Sequence, residues 1–460
     1  MSRTATLAVI VAVLGLATAL LAYATRASNG RATVASSPVA IPQPTAAQLE
    51  AAYLGKLPVA PESERIDVVA PTFSDSTTIT NPLFPISDLH SAVLNGRVDG
   101  KPFHTETTLL PETRIIEWAP GERVETLVSQ YVAFLDGRIE EVALDYYAQA
   151  DDGSVWYFGE DVFNYKDGFI ADTDGTWIAG KEGPPAMIMP GDPQRGDVYR
   201  PENAPGLVFE EVTVKSVGEQ VAGPRGLVDG AIIAGELHQD GSRELKTFAP
   251  GYGEFFTGSG GDVEALALSV PTDALDRPVP TELDALSAGA DAAFAAIRAD
   301  DWKAASASAH RLSAAWASYR AGHVPPRIAA EMTSAVTSLD RAVAARNQVW
   351  SGTAAIDVSQ SALELQLRHR PPAEIDRARF ELWGRQLVVD ASAGDAAAVR
   401  GDLATLEWIR DRFAVTIDRV DLTRIDTQLV GLRGALNDDD LRGVATRADR
   451  LGATLAAMSV

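Results

Sequence analysis

The sequence predicts an antiparallel curved sheet or partly open β-barrel followed by an all-α helical bundle with an internal repeat, behind an N-terminal membrane segment. Three observations carry this reading. Asp-Gly and Asn-Gly pairs punctuate alternating apolar and polar runs from about residue 79 onward, the alphabet turns to Ala, Leu, Asp and Arg with a helical period after residue 282, and an uncharged, mostly apolar run fills residues 5–24. At 460 residues the chain exceeds one ordinary core and divides into two or three domains.

The apolar run follows Arg3. At about 1.5 Å per residue it would just cross a hydrocarbon core of about 30 Å. It reads either as an uncleaved signal anchor or as a signal peptide cut after the small residues around Ala22 and Ala24, over residues 1–26. Both readings export the rest of the chain, leaving it anchored outside the cell membrane or secreted. Residues 27–74 are rich in Ala, Pro, Ser and Thr and predict an extended linker with one short helix near residues 46–57.

Residues 75–270 predict nine to eleven antiparallel strands. Asn95-Gly96, Asp99-Gly100, Asp136-Gly137, Asp152-Gly153, Asp167-Gly168, Asp174-Gly175, Asp229-Gly230 and Asp240-Gly241 supply the positive φ of tight turns. A meander this long must curl or close to cover its apolar face and its edges.

Residues 144–165, "LDYYAQADDGSVWYFGEDVFNY", predict a hairpin about Asp152-Gly153. A two-residue turn pairs Ala148 with Tyr157, Tyr147 with Phe158, Gln149 with Trp156 and Asp145 with Glu160. One face then carries Leu144, Tyr146, Ala148, Ala150, Val155 and Tyr157. The other carries Asp145, Tyr147, Gln149, Trp156, Phe158 and Glu160, the candidate ligand-binding residues. Opposed carboxylates repel, so water, a neighbouring Arg, a cation or a bulge must relieve Asp145 and Glu160. The plainer alternative is two half-buried faces with the carboxylates solvated at a rim.

The runs "TNPLFPI" (80–86), "DYYAQADDGSVWYFGED" (145–161), "GTWIAGKEG" (175–183), "IMPGDPQRGDVYR" (188–200) and "APGYGEF" (249–255) give residues 79–256 a resemblance. They resemble an uncharacterised domain of exported bacterial proteins. The resemblance implies a secreted sheet domain; it brings no activity and no catalytic residues.

After a linker at 271–282, residues 283–460 predict about eight helices, with cap residues at Asp300, Asp395 and Asp438. Residues 296–319 align without gaps on 435–458, and a weaker copy starts near Asp395, which predicts repeated helical hairpins. The pattern of Asp301-Trp302, Leu312 and Trp316 is weakly similar to uncharacterised periplasmic helical domains. Arg368, Arg370, Arg377 and Arg379 form a candidate anion or partner contact; the competing reading matches basic residues to one helix end and Glu374 and Asp376 to the start of the next.

Composition narrows the function classes. The formal charge of -23 falls as -21 on residues 1–282 and -2 on the remainder, which argues against nucleic acid as a partner. There is no Cys, and the six His residues lack the close spacing of helical zinc sites. No nucleophile elbow, phosphate loop or dinucleotide fingerprint is present, so no cofactor and no enzyme is expected, a carboxylate-pair hydrolase being the remaining catalytic option. The expectation is an exported binding or interaction module for a small ligand, a cation or an envelope protein, touching the membrane only through its N-terminal segment. The alternative is a structural envelope protein that uses its helical bundle as a contact surface.

Overall fold

The computed structural model describes residues 40–458. The apolar run at 5–24 lies outside the described residues; among those described, no helix is long and apolar enough to cross a membrane.

The chain enters through a short helix, α1 (Ala46–Ala51), opened by a Thr45–Gln48 capping box. This is the helix expected inside the linker, but from residue 40 onward the linker is laid onto the sheet. Leu54 is fully buried beside Phe209, and Arg65 and Asp67 form a buried ion pair at 2.7 Å. Asp67 also accepts from the Arg200 backbone at 2.9 Å. A Pro/Ser-rich composition concealed these few anchoring side chains.

The first strands run β1 (Ser91–Val98), β2 (Lys101–Ala119), β3 (Glu122–Leu135), β4 (Arg138–Gln149), β5 (Val155–Lys166) and β6 (Phe169–Asp172). Asp99-Gly100, Asp136-Gly137 and Asp167-Gly168 turn three of these hairpins, both residues of each pair having positive φ. That is the primed-turn geometry the dipeptides predict. Short β7 (Trp177–Ile178) and β8 (Ala186–Met189) follow, then β9 (Val198–Ala204), β10 (Val208–Gly223), β11 (Gly226–His238), β12 (Arg243–Ala249), β13 (Gly253–Ser259) and β14 (Asp262–Val270).

All pair antiparallel in one fourteen-stranded open sheet, ordered β6-β5-β4-β3-β2-β1-β14-β13-β12-β11-β10-β9, with β7 and β8 both on β5. The expected nine to eleven strands fall short because two- to four-residue strands such as β6, β7 and β8 are too brief to show alternation. The pairing of β1 with β14, Ser91 opposite Val270, brings the two ends of the meander together at the centre of the sheet.

The helices are α2 (Thr281–Arg298), α3 (Trp302–Tyr319), α4 (Pro326–Ala344), α5 (Gln348–Gln366), α6 (Pro372–Ala393), α7 (Ala396–Phe413), α8 (Arg419–Asn437) and α9 (Leu441–Ala457). They form four hairpins joined by one recurring turn. A left-handed residue (Asp300, Arg346, Gly394 or Asp439) precedes an N-cap (Asp301, Asn347, Asp395 or Asp440) whose side chain accepts a backbone N–H of the next helix. The repeat read from sequence is therefore a repeated turn. The sequence alignment relates two of its four copies and points to a third. Apolar side chains collect in two cores, one centred on α2 to α5 and one on α6 to α9, with α6 contributing to both.

Helices and sheet join through buried charge. Glu106, on the outward face of β2, meets the guanidiniums of Arg379 on α6 and Arg412 on α7; Arg412 also donates to Gln130 of β3 at 2.6 Å. Both arginine side chains are fully buried.

Candidate functional site

The inward faces of the sheet line one cavity of about 610 Å³. Ladder pairs place its side chains. Glu202, Glu210 and His238 sit opposite one another across β9, β10 and β11; Glu236 faces Glu244 across β11 and β12. Lys246 faces Thr257 across β12 and β13. From the other side Glu141, Asp145 and Tyr147 on β4 and Tyr157 and Glu160 on β5 face the same space. Nine carboxylates line the cavity, counting Glu254 and Glu264, against one lysine.

The predicted hairpin forms, and its register corrects the expected faces. The loop holds one more residue than a two-residue turn, closing with Ala150 bonded to Ser154, so Tyr147 pairs with Tyr157, Ala148 with Trp156 and Gln149 with Val155. One-residue slips exchange faces in a strand. Trp156 and Phe158 therefore leave the predicted site: both are buried on the opposite side, edge-on to Phe73. Tyr157, assigned from sequence to the apolar face, takes their place.

A bulge between Asp145 and Tyr147 then restores Asp145 opposite Glu160. Its pivot is Gly159, with φ of 116°, where a Cβ would lie 2.1 Å from the Trp177 carbonyl. A glycine inside a strand pattern is the sequence signal for such a bulge. Gln149 faces the loop at the cavity mouth, where its side-chain oxygen accepts from the backbones of Thr80 and Asn81 at 2.8 Å each.

The motif runs noted in the sequence meet around this mouth. Asn81 donates to the Gly153 and Pro190 carbonyls at 2.9 Å each, and the Gly251 N–H donates to the Pro82 carbonyl at 2.7 Å. Phe84 stands edge-on to Tyr147, and Trp177 edge-on to Tyr157, with ring centroids 4.9 and 5.4 Å apart. Tyr147 and Tyr157 stack at 4.8 Å. Five separate runs thus build one rim and one aromatic wall.

Charge within the cavity is unevenly balanced. On the β10 to β12 side, His238 lies 3.0 Å from Glu210 and 3.5 Å from Glu244, and Lys246 lies 2.9 Å from Glu236. Bonds to Glu210 and Glu244 raise His238 to about 10; against burial, His238 and Lys246 bring Glu210 down to about 2. Glu210, Glu236 and His238 are also the one group among the described residues whose donor atoms lie close enough to share a metal ion, within 4.8 Å of one another. Its chemistry suits a divalent ion, yet two side-chain cations already neutralise that corner.

On the β4, β5 and β9 side no described basic group lies within 4.0 Å of Asp145, Glu160 or Glu202, although the charge of Lys246 reaches Glu202. Burial, then the charge of Asp145, raises Glu160 to about 8, and burial raises Asp145 to about 7 although the Tyr157 hydroxyl donates to it at 2.7 Å. Burial, then the charges of Glu210 and Glu160, pushes Glu202 well above the carboxylate range. The repulsion read from sequence shows as the upward push that the charge of Asp145 gives Glu160. Two further hydroxyls, Ser129 and Tyr199, line the cavity fully buried and unpartnered.

The four predicted arginines do not converge. Arg379 is locked in the sheet–helix joint, Arg377 donates to the Leu455 carbonyl at 3.4 Å, and Arg370 pairs with Asp284 at 3.4 Å. Arg368 is buried elsewhere, beside the loop after β14.

No protein-family model matches the chain, and comparison with curated proteins finds no similar sequence.

Proposed function

We propose that the chain is an extracytoplasmic binding module whose curled sheet works as a partly open barrel and takes up a small, positively charged ligand. The observation that carries this reading is the base-free cluster of Asp145, Glu160 and Glu202 inside a cavity of about 610 Å³, a volume within the usual range for small-molecule sites. Buried carboxylates without a cation hold protons in its place; a ligand cation would displace them and gain both their charge and the faces of Tyr147 and Tyr157. The purely structural alternative calls for a sheet filled by its own side chains, and an acid-lined cavity weighs against it.

Isothermal titration of the full chain in two buffers of different ionisation enthalpy tests the reading, using Ca²⁺, Mn²⁺ and Zn²⁺ and short aliphatic di- and polyamines as probes. Binding should release protons near pH 7 and tighten as pH rises from 6 to 8, and Glu160→Gln should weaken it about tenfold or more. If no probe binds, or if binding releases no protons and ignores Asp145→Asn and Glu160→Gln, the reading fails.

A further inference from the structure

The same acidic chain gathers three guanidiniums in one place, at a seam between sheet and helices far in character from the carboxylate cavity. Arg225 stands at the turn between β10 and β11, Arg277 in the segment joining β14 to α2, and Arg368 just beyond α5. With His323 before α4 they line a pocket of about 440 Å³. Arg225 and Arg277 are exposed, while Arg368, 3% exposed, forms the floor.

The partners these groups have are weak ones. Arg368 reaches the carbonyls of Asp273 and His323 only at 3.4 Å each, and Arg225 donates to the Thr272 carbonyl at 3.0 Å. Arg370 next door has its carboxylate. Among the described residues, none of Arg225, Arg277 and Arg368 has a carboxylate oxygen within 4.0 Å. Asp276 also lines the pocket, and Asp273 is near but already accepts from the Tyr252 hydroxyl and the Ser269 N–H, at 2.9 Å each. The Tyr319 hydroxyl also faces Arg368.

Burial makes the charged form of Arg368 less favourable than usual; Tyr319 and Asp273 offset this only in part, and the charges of Arg277 and Arg225 add a smaller push in the same direction as burial. Converging guanidiniums on unrelated elements, one of them buried, are how proteins hold planar or tetrahedral oxyanions by paired N–H donors. The overall charge of -23 would repel a free anion at long range, but screening over about 8 Å at physiological salt leaves the local field in control.

We propose that Arg225, Arg277 and Arg368 form an oxyanion-binding site for a phosphate or carboxylate group, distinct from the cavity inside the sheet. The two charged regions of the molecule then select ligands of opposite sign. Because the donors come from a sheet turn, the interdomain segment and a helix end, an anion there also ties the two halves together.

Thermal unfolding of the full chain in inorganic phosphate, against sodium chloride at equal ionic strength, tests the site. Phosphate should raise the midpoint saturably where chloride does not. Arg277→Ala or Arg225→Ala should weaken the apparent affinity about tenfold or more, Arg277→Lys less. Both alanine variants remove exposed side chains and should keep the phosphate-free midpoint, so a lost response is not a lost fold. Succinate in place of phosphate separates a general oxyanion site, stabilised by both, from a tetrahedral one, stabilised by phosphate alone. Asp145→Asn should leave the phosphate response intact. No phosphate effect beyond that of chloride, or an unchanged effect in Arg225→Ala/Arg277→Ala, overturns the proposal and leaves Arg368 as a clamp on neighbouring carbonyls.

Discussion

Two buried acidic clusters occupy opposite faces of the same sheet, and they have settled the same electrostatic problem in opposite ways. Glu106 points outward from β2 and is held well below the usual carboxylate range, because Arg379 and Arg412 outweigh its burial. Its neighbours in sequence, Thr105 and Thr107, face inward; Thr105 donates to Glu264 of the cavity. Asp145 is buried and Glu160 half-buried, neither has a guanidinium, and they rise to about 7 and about 8. A carboxylate matched by buried arginines fastens sheet to helices. One without a guanidinium has its hold on a proton strengthened instead.

The largest test breaks the matched cluster. Arg412→Met removes a guanidinium that touches Glu106, Asp376 and Gln130 together, leaving Asp376 with Arg379 and Glu106 with Arg379 and the longer contacts of Gln360 at 3.2 Å and His104 at 3.4 Å. Losing one partner of a buried pair costs about 3–5 kcal/mol. The thermal unfolding midpoint should drop sharply, and the double variant Arg412→Met/Glu106→Leu should recover part of the loss by removing the stranded charge. A midpoint unmoved by Arg412→Met would show that the joint does not depend on the match.

Much of this contrast was hidden in the sequence, for identifiable reasons. Strand alternation, Asp-Gly turns and the switch to a helical alphabet were local signals, and they located the sheet and the eight helices. Asp145, Tyr147 and Glu160 were also within reach, because one hairpin positions them. Trp156 and Phe158 were misplaced because the turn holds one residue more than Asp152-Gly153 implied, and Gly159 was the overlooked marker of the compensating bulge. Glu202, Glu210, Glu236, Glu244 and Lys246 were missed because strands distant in sequence bring them to the cavity. The period-two spacing of Glu236 with His238 and of Glu244 with Lys246 was a usable signal that they share faces. Arg225 and Arg277 carried no local sign of a meeting with Arg368.

A middle-sized effect sharpens the unmatched side. Asp145 and Glu160 titrate near 7 and 8 in the folded chain and near 4 in the unfolded one, so between those limits the native state binds more protons. Stability of the ligand-free protein should therefore fall as pH rises from about 4 to about 8, the reverse of an acid-labile ion pair. Asp145→Asn and Glu160→Gln should each flatten the slope and, at pH 8, raise stability by roughly 1–3 kcal/mol. Chemical denaturation at pH 5 and pH 8 measures both; equal gains at the two pH values would detach the effect from ionisation.

The smallest effect separates burial from hydrogen bonding at one carboxyl. The Tyr157 hydroxyl donates to Asp145 at 2.7 Å and is the bond that opposes the upward push of burial on that residue. Tyr157→Phe keeps the ring, its stack on Tyr147 and its contact with Trp177, and deletes only the donor. Below pH 6 a protonated Asp145 loses one ordinary hydrogen bond, about 1 kcal/mol. Above pH 8 the ionised form loses a charge-assisted one, so the penalty should grow with pH and the titration of Asp145 should move further up. NMR titration of the Asp145 carboxyl, followed beside unfolding at pH 6 and pH 9, reads both quantities. A penalty independent of pH would mean that Asp145 stays protonated throughout, and the proton available to a ligand cation would then have to come from Glu160 and Glu202.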